Sequence, residues 1–288
     1  MPLFSGETPC TEVASLPPTP GRAALGLASR VRDAIREGRR DRASLIVSDG
    51  DLPGQLAAHA LRVPSIAVGH GLVFSECRRP TALAAAPWWR EAVKAAASSA
   101  GAHRRIAVNF VPLQPRTSRV VLARPSIDPR LHRESEPSRV LCYFRDGAHD
   151  VLRALVAHGE RPVLFSAENP EIEGVEYEPQ SRERFIARLA QARVVIATAG
   201  SQLISECVGL GIPVLALYAD GDDEQRLNAA MVLGSGLGDG CSFQALTATR
   251  IARFVDSPPV PRPVTHPGPE VATAAMDAID SALLSLRA

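Results

Sequence analysis

Short apolar runs and amphipathic stretches alternate along the chain. The apolar runs Val194–Thr198, which is rich in β-branched residues, and Val214–Tyr218 are typical of strands that are buried on both faces. Between them, Gln202–Gly209 carries apolar residues at helical spacing, and the segment from Gly211 to Pro213 stops that helix. Strand, turn, helix and strand make a βαβ unit, whose crossover is nearly always right-handed. The pattern therefore predicts an α/β fold with parallel strands.

The same alternation predicts elements on both sides of a proline- and charge-rich passage. Before the passage we expect helices at 26–39, 54–61 and 87–100, and strands at 43–47, 64–68, 105–111 and 119–123. After it we expect strands at 140–144, 162–166, 175–178, 194–198 and 214–218. The helices expected there lie at 148–158, 182–190, 202–209, 227–233, within 243–254 and at 270–286.

The composition shift suggests four segments. We expect a first domain over 1–124, a linker over 125–137, a second domain over 138–257, and a proline-rich connector with a terminal helix over 258–288. At 288 residues the chain is long enough for two domains with separate cores.

Charge and composition exclude several classes of function. A net charge of +1 with only 5% aromatic residues argues against a nucleic-acid partner. No run of 18 apolar residues and no secretory leader pattern is present, so we expect no transmembrane segment and a cytoplasmic location. The cysteines are scattered and odd in number, which predicts reduced thiols rather than disulfides or a metal site: Cys10, Cys77, Cys142, Cys207 and Cys241.

Gly200 and Ser201 form a small-residue turn between a buried strand and a helix. Free N–H groups, the Ser201 hydroxyl and the helix dipole suit a phosphate, although a simple helix cap is the alternative. One helical turn later, Glu206 lies between apolar neighbours and is expected to border a cleft, where it could accept hydrogen bonds from a ribose diol. The alternative is a surface acid on a solvated helix flank.

An acid-rich helix start, from Asp222 to Asn228, follows the second strand. Its polar groups would lie at the carboxyl ends of the strands, where open α/β sheets bind ligands. On its own, the run is also what the dipole favours in an ordinary first helical turn.

The run from Ala199 to Ala229 resembles the donor-binding signature of GT-B glycosyltransferases. It is similar to that of peptidoglycan-precursor N-acetylglucosaminyltransferases and of related uncharacterised bacterial and archaeal proteins. The matched positions are Gly200, Ser201, Glu206, Gly211-Ile212-Pro213, Glu224-Gln225 and Asn228-Ala229. The resemblance implies that Gly200 and Ser201 contact the nucleotide diphosphate, that Glu206 binds ribose, and that Glu224 and Gln225 hold the donor sugar.

The resemblance implies two Rossmann-like domains that face each other across a cleft, with the donor nucleotide on the second. The activity implied is transfer of a hexose from a nucleotide-diphosphate sugar, UDP-sugar favoured, to an unknown acceptor hydroxyl, by inverting displacement without a metal or cofactor. Members of the family usually begin with a strand and a loop that carries a histidine. This chain shows no such unit, so its first domain is expected to be incomplete.

Two further positions are candidates for chemistry. Arg145 follows the first strand of the second domain, where it could add charge to the diphosphate site; a surface turn is the alternative. His70 follows a strand of the first domain and is the best candidate for a general base, with Asp49 and Asp51 as alternatives. A hydrogen-bonded loop histidine is the structural alternative for His70.

Two other functions stay open. The first is a non-catalytic protein that binds a nucleotide sugar and works with a partner subunit, and the second is a nucleotide-sugar epimerase on the same fold. A homodimer is also compatible with the sequence. From the ribose role we expect Glu206→Ala to weaken donor binding with little change in the melting temperature of the unliganded protein.

Overall fold

The structure is a computed structural model that describes residues 20–144 and 148–285, with side chains from residue 26 to residue 284. The described strands are β1 (Ile46–Asp49), β2 (Ser65–Gly69), β3 (Arg104–Val108), β4 (Val120–Ala123), β5 (Arg139–Tyr143), β6 (Val163–Phe165), β7 (Glu176–Glu178), β8 (Ala192–Thr198), β9 (Val214–Tyr218) and β10 (Gly238–Ser242). The described helices are α1 (Pro20–Arg40), α2 (Leu52–Leu61), α3 (Leu72–Glu76), α4 (Ala85–Ser98), α5 (His149–Ala157), α6 (Arg182–Ala190), α7 (Ser201–Leu210), α8 (Asp223–Gly234), α9 (Ala248–Asp256) and α10 (Val271–Ser285).

The chain folds into two compact units. The second unit comprises Ile127–Val264, and the first comprises the described residues up to Ser126 together with the segment from Thr265 onward. The division between Ser126 and Ile127 falls inside the segment expected to be a linker. Residues after this point are part of the second unit because Leu131 is buried and the Arg133 guanidinium donates to the Gly211 carbonyl at 2.7 Å.

The first unit is built on a parallel sheet with the order β1-β2-β3-β4. The terminal helix α10 packs on β2, β3 and β4, where Ala274 and Ala278 meet Ile66 and Ile106. Small residues on the helix let it approach the β-branched surface of the sheet closely.

The second unit is built on a parallel sheet with the order β10-β9-β8-β5-β6-β7. Its central strands β5, β8 and β9 are apolar on both faces because helices cover both sides, as their apolar runs predict. The residues that form this core are Val140, Cys142, Leu152, Leu155, Leu164, Val194, Ile196, Leu215, Leu217, Ile251 and Phe254.

Two elements are absent from the sequence prediction. Helix α3 is only 5 residues long, which is too short for a hydrophobic period to be visible. Strand β10 has the sequence GDGCS, which contains no β-branched or aromatic residue. A Cβ atom at Gly240 would lie 2.6 Å from the carbonyl oxygen of Ala229 in α8, so close packing by that helix requires glycine here.

The two neighbouring tryptophans of α4 have different environments. Trp88 is fully buried and makes an edge-on contact with Phe74, with 5.1 Å between ring centroids. Trp89 is 52% exposed, and the guanidinium of Arg116 lies over its ring. Trp88 is therefore part of the core, whereas Trp89 lies at the surface.

The cysteines that the structure describes are free and buried. Burial raises the pKa of the Cys77 thiol to about 12, and the pKa values of Cys142 and Cys207 are raised for the same reason. These side chains therefore act as small apolar core residues. Cys10 lies outside the described residues.

Candidate functional site

The strand order of the second sheet changes direction between β5 and β8. From β5 the chain moves to β6 and β7 on one side, and it then returns to β8 on the other side of β5. Crossovers between parallel strands are right-handed in nearly all proteins, and this hand places the helices that follow β5 and β8 on opposite faces of the sheet. The carboxyl ends of β5 and β8 therefore border a crevice, which is where open parallel sheets bind ligands.

The turn after β8 presents the start of α7 at this crevice. The Ala199 amide donates to the carbonyl of Leu217 at 2.8 Å, which ties the turn to β9, and α7 begins at Ser201. Gly200 has φ −72° and ψ 131°, values that any residue adopts, and a Cβ atom there would meet nothing within 4 Å. The first turn of α7 consequently borders open space next to Gly200.

The N-terminus of α7 has no side-chain cap, whereas helices α6, α8 and α9 of the second unit each have one. The side chains of Ser181, Asp222 and Thr247 accept hydrogen bonds from the first turns of α6, α8 and α9. Among the described residues, no side chain does this for α7 or for α5, the two helices that flank the crevice. Within the described part of the chain, the first N–H groups of α7 therefore lack a side-chain acceptor.

Ser201 lies in the first turn of α7 and is half-buried. Its carbonyl accepts a hydrogen bond from the Ser205 hydroxyl at 2.6 Å, and its own hydroxyl makes no hydrogen bond with any residue that the structure describes. The position fits the contact with a diphosphate that the sequence predicts. Arg145, which is also predicted to contact the diphosphate, lies outside the described residues.

Glu206 differs from the expectation of a carboxylate that borders a cleft, because its side chain is fully buried. Nη2 of Arg182, from the start of α6, lies 2.8 Å from Glu206 Oε1. The side-chain amide of Gln202 donates to the same oxygen at 3.1 Å. These contacts allow a charged carboxylate to lie in the interior of the unit, since a buried ion needs a partner.

Arg182 also contacts Asp128, which extends the ion pair to a third group. Its Nη2 atom lies 3.4 Å from Asp128 Oδ2. Hydrogen bonds from the side chain and then the backbone of Arg130 hold the pKa of the Asp128 carboxyl well below its usual range, so Asp128 stays ionised. Nothing local in the sequence signals this role for Arg182, which belongs to a charged run at a helix start.

The start of α8 is tied to the turn after β8. Asn228 is fully buried, and its side-chain amide donates to the Ala199 carbonyl at 3.0 Å. Glu224 and Gln225 lie in the first turn of the same helix and are partly buried. The backbone N–H of Gln225 donates to Asp222 Oδ1. Asn228 therefore positions the helix that carries the two predicted sugar-binding residues.

In the first unit, His70 and Asp49 lie at the carboxyl ends of adjacent strands, because Asp49 in β1 pairs with Val68 in β2. Nδ1 of His70 lies 3.1 Å from the carbonyl oxygen of Val108. Since a carbonyl only accepts, Nδ1 carries the proton, and in the neutral ring the basic lone pair is on Nε2. The ring also stacks on Phe110, with 6.1 Å between centroids.

The hydrogen bond and the stacking hold the His70 ring in one orientation, as a general base requires. Asp49 and the alternative base Asp51 are exposed. The site residues therefore form two groups, one in each unit: His70 and Asp49 in the first, and Gly200, Ser201, Glu206, Glu224 and Gln225 in the second.

The described residues include neither a metal-binding cluster nor a membrane-spanning helix. They contain no group of three or more histidine, cysteine, aspartate or glutamate side chains arranged to hold a metal ion. None of the helices in that part of the chain is long and apolar enough to cross a lipid bilayer.

The chain resembles known proteins in sequence profile and in fold. The profile of glycosyl transferase family 1 matches residues 23–259. Acinetobacter baumannii MurG aligns with a TM-score of 0.52 at 16% identity, over 82% of this chain and 70% of that one. The calicheamicin glycosyltransferase CalG4 aligns with a TM-score of 0.52 at 15% identity, over 88% and 76% of the two chains.

The spinosyn rhamnosyltransferase SpnG, in complex with thymidine diphosphate, aligns with a TM-score of 0.53 at 18% identity, over 82% of this chain and 70% of that one. No curated protein sequence matches the chain significantly. At these identities the likeness shows the fold, which is that of GT-B glycosyltransferases. The predicted fold class is thereby confirmed.

Proposed function

This chain belongs to glycosyl transferase family 1, and from that premise we propose that it moves a sugar from a nucleoside-diphosphate sugar to an acceptor hydroxyl. The observation that carries the donor assignment is the N-terminus of α7 at the crevice between β5 and β8. It lacks a side-chain cap and borders open space at Gly200. Backbone N–H groups and the positive end of a helix dipole are favourable partners for a diphosphate.

The donor nucleotide is proposed to be UDP or a similar pyrimidine diphosphate. The thymidine diphosphate bound by SpnG supports this class of ligand, since that protein has the same fold. In the proposed arrangement Gly200 and Ser201 contact the diphosphate, Glu206 the ribose, and Glu224 and Gln225 the sugar. Arg145 remains proposed as an additional cation for the phosphates.

The proposed reaction is a direct displacement with inversion at the anomeric carbon. The acceptor oxygen forms a bond with that carbon while the bond from the carbon to the diphosphate oxygen breaks. His70 Nε2 takes the acceptor proton, and the nucleoside diphosphate leaves with the bonding electron pair. The dipole of α7 would stabilise the charge that grows on the leaving group, which is the role that preorganised donors have in many enzymes. Asp49 is the alternative base.

The test of the proposal uses water as the acceptor. Wild-type protein is expected to release UDP slowly from UDP-sugars, and His70→Ala should lower that rate by about 100-fold or more, the usual contribution of a general base. The affinity for the donor should stay the same. The matched control is His59→Ala, because His59 is an exposed histidine of α2.

Two outcomes would reject parts of the proposal. If His70→Ala and His59→Ala release UDP at the wild-type rate, His70 is not the base. If the wild-type protein binds the donor but releases no sugar even with cell extract as a source of acceptors, a donor-binding protein that requires a partner subunit becomes the better account.

A further inference from the structure

Two polar atoms of contacting side chains in the second unit are buried without a hydrogen-bond partner among the described residues. They are Oε2 of Glu206 and Nη1 of Arg182. The groups that carry them are in contact, because the other ends of the same carboxylate and guanidinium lie 2.8 Å apart. A buried charged group that lacks some of its hydrogen bonds is unfavourable. A ligand that forms hydrogen bonds with both atoms would therefore bind more tightly than one that does not.

The chemistry of the two atoms defines that ligand. A carboxylate oxygen only accepts hydrogen bonds, and a guanidinium nitrogen only donates them. A group that satisfies both atoms at once must therefore donate and accept, which a hydroxyl does. A phosphate oxygen or a carbonyl could satisfy Arg182 but would leave Glu206 unpaired.

The position of the pair fits a nucleoside hydroxyl. Glu206 follows Ser201 by five residues on α7, which places it about 7.5 Å along the helix axis from the start of the helix. Arg182 is the first residue of α6, directly after the loop that follows β7. The exposed Gln202 contacts the same carboxylate, so a side chain that touches Glu206 reaches the surface of the unit.

We propose that Arg182 is a second ribose-binding residue: one ribose hydroxyl donates to Glu206 Oε2 and accepts from Arg182 Nη1. Arg182 also keeps the Glu206 carboxylate in place through Nη2, and Asp128, which contacts the same Nη2 atom, balances its charge. The inference rests on the proposed function, because it assumes that a nucleotide occupies the crevice.

The experiment compares the dissociation constants of UDP and of 2′,3′-dideoxyuridine diphosphate, which differ only in the two hydroxyls. Wild type should prefer UDP by about ten-fold or more, which is the effect expected of a hydrogen bond to a charged group. Arg182→Met should reduce the preference to less than about three-fold. Arg182→Lys keeps a charge but loses the two-pronged geometry, so it should lie between.

Arg184→Met is the matched control. Arg184 belongs to the same helix and pairs with Glu178 on the surface, with its side chain 59% exposed. This variant should keep the wild-type preference for UDP. A loss of preference in Arg184→Met as large as in Arg182→Met would mean that the effect comes from the helix as a whole and would overturn the proposal.

The remaining outcomes separate this inference from the proposed function. A folded Arg182→Met or Arg182→Lys protein with the full wild-type preference overturns the inference alone. Equal affinity of wild type for both nucleotides also overturns it, and a bound water then satisfies the two atoms. If wild type binds neither nucleotide, the proposed function fails as well.

Discussion

A buried carboxylate affects both the stability of a protein and the ligands that it can bind. Glu206 is fully buried, and Arg182 and Gln202 share its Oε1 atom. The resemblance predicts a ligand-binding role for the residue, and the contacts add a structural one. Its sequence position between apolar neighbours could not distinguish the two, because the cation comes from a helix that precedes it by 24 residues (206 − 182).

The first prediction is that Glu206→Ala lowers the stability of the unliganded protein. Removal of the carboxylate leaves the Arg182 guanidinium with Asp128 alone, and Arg182 is only 30% exposed. Loss of one partner of a buried ion pair costs several kcal/mol, and the partial exposure reduces this to about 1–3 kcal/mol. This replaces the sequence-based expectation of an almost unchanged melting temperature.

Urea denaturation of the unliganded protein measures the effect. Glu136→Ala is the control, because Glu136 is an exposed glutamate of the same unit, and its free energy of unfolding should equal that of wild type. If Glu206→Ala is as stable as Glu136→Ala, the contact between Arg182 and Glu206 contributes nothing to folding.

At the scale of elements, the second unit depends on glycine where a helix and a strand pack closely. We predict that Gly240→Ala destabilises the protein by about 1–3 kcal/mol, the usual cost of overpacking. The added methyl group would lie 2.6 Å from the backbone carbonyl of Ala229 and could not move away from it. The control is Gly234→Ala at the end of α8, where a Cβ atom would meet nothing within 4 Å.

Thermal unfolding distinguishes the two glycine variants. Gly234→Ala should be neutral or more stable by up to about 1 kcal/mol, because alanine favours the helix. A Gly240→Ala protein as stable as Gly234→Ala would show that α8 and β10 are not packed as described.

Hydrophobic periodicity predicts individual elements well where the signal is long. The bounds of α6 and β9 agree with the sequence prediction, and those of the other predicted elements differ by a few residues. Strand β10 could not be found in this way, because a Cβ atom would meet the backbone of β9 at Gly238 and that of α8 at Gly240, and glycine has a low strand propensity. The sequence also does not show that α6 and α8 have a side-chain cap and that α7 has none, because a cap depends on the orientation of the side chain.

At the scale of the whole molecule, the order of the strands creates the candidate site. Strands β5 and β8 are adjacent in the sheet although β6 and β7 lie between them in sequence. Local sequence patterns do not show that β5 pairs with β8. The family resemblance nevertheless predicts a donor site near Gly200, where this pairing creates the crevice. The profile of glycosyl transferase family 1 and the GT-B structures agree with the predicted class of enzyme.

The measurement that tests the central claim most directly is calorimetric titration of UDP into wild-type protein and Gly200→Val. The backbone angles of Gly200 suit a β-branched residue, and its Cβ position is open, so the variant should fold, with a loss of about 1 kcal/mol or less because valine is a poorer N-cap than glycine. Its side chain would, however, occupy the space next to the first turn of α7. Gly234→Ala serves again as the control for binding.

We expect wild type and Gly234→Ala to bind UDP with the same dissociation constant, below millimolar, and Gly200→Val to bind at least about ten-fold more weakly, a difference of about 1.4 kcal/mol. Equal affinity of all three proteins would show that the diphosphate binds elsewhere. No binding of UDP, GDP or TDP to wild type at millimolar concentration would contradict the donor site itself.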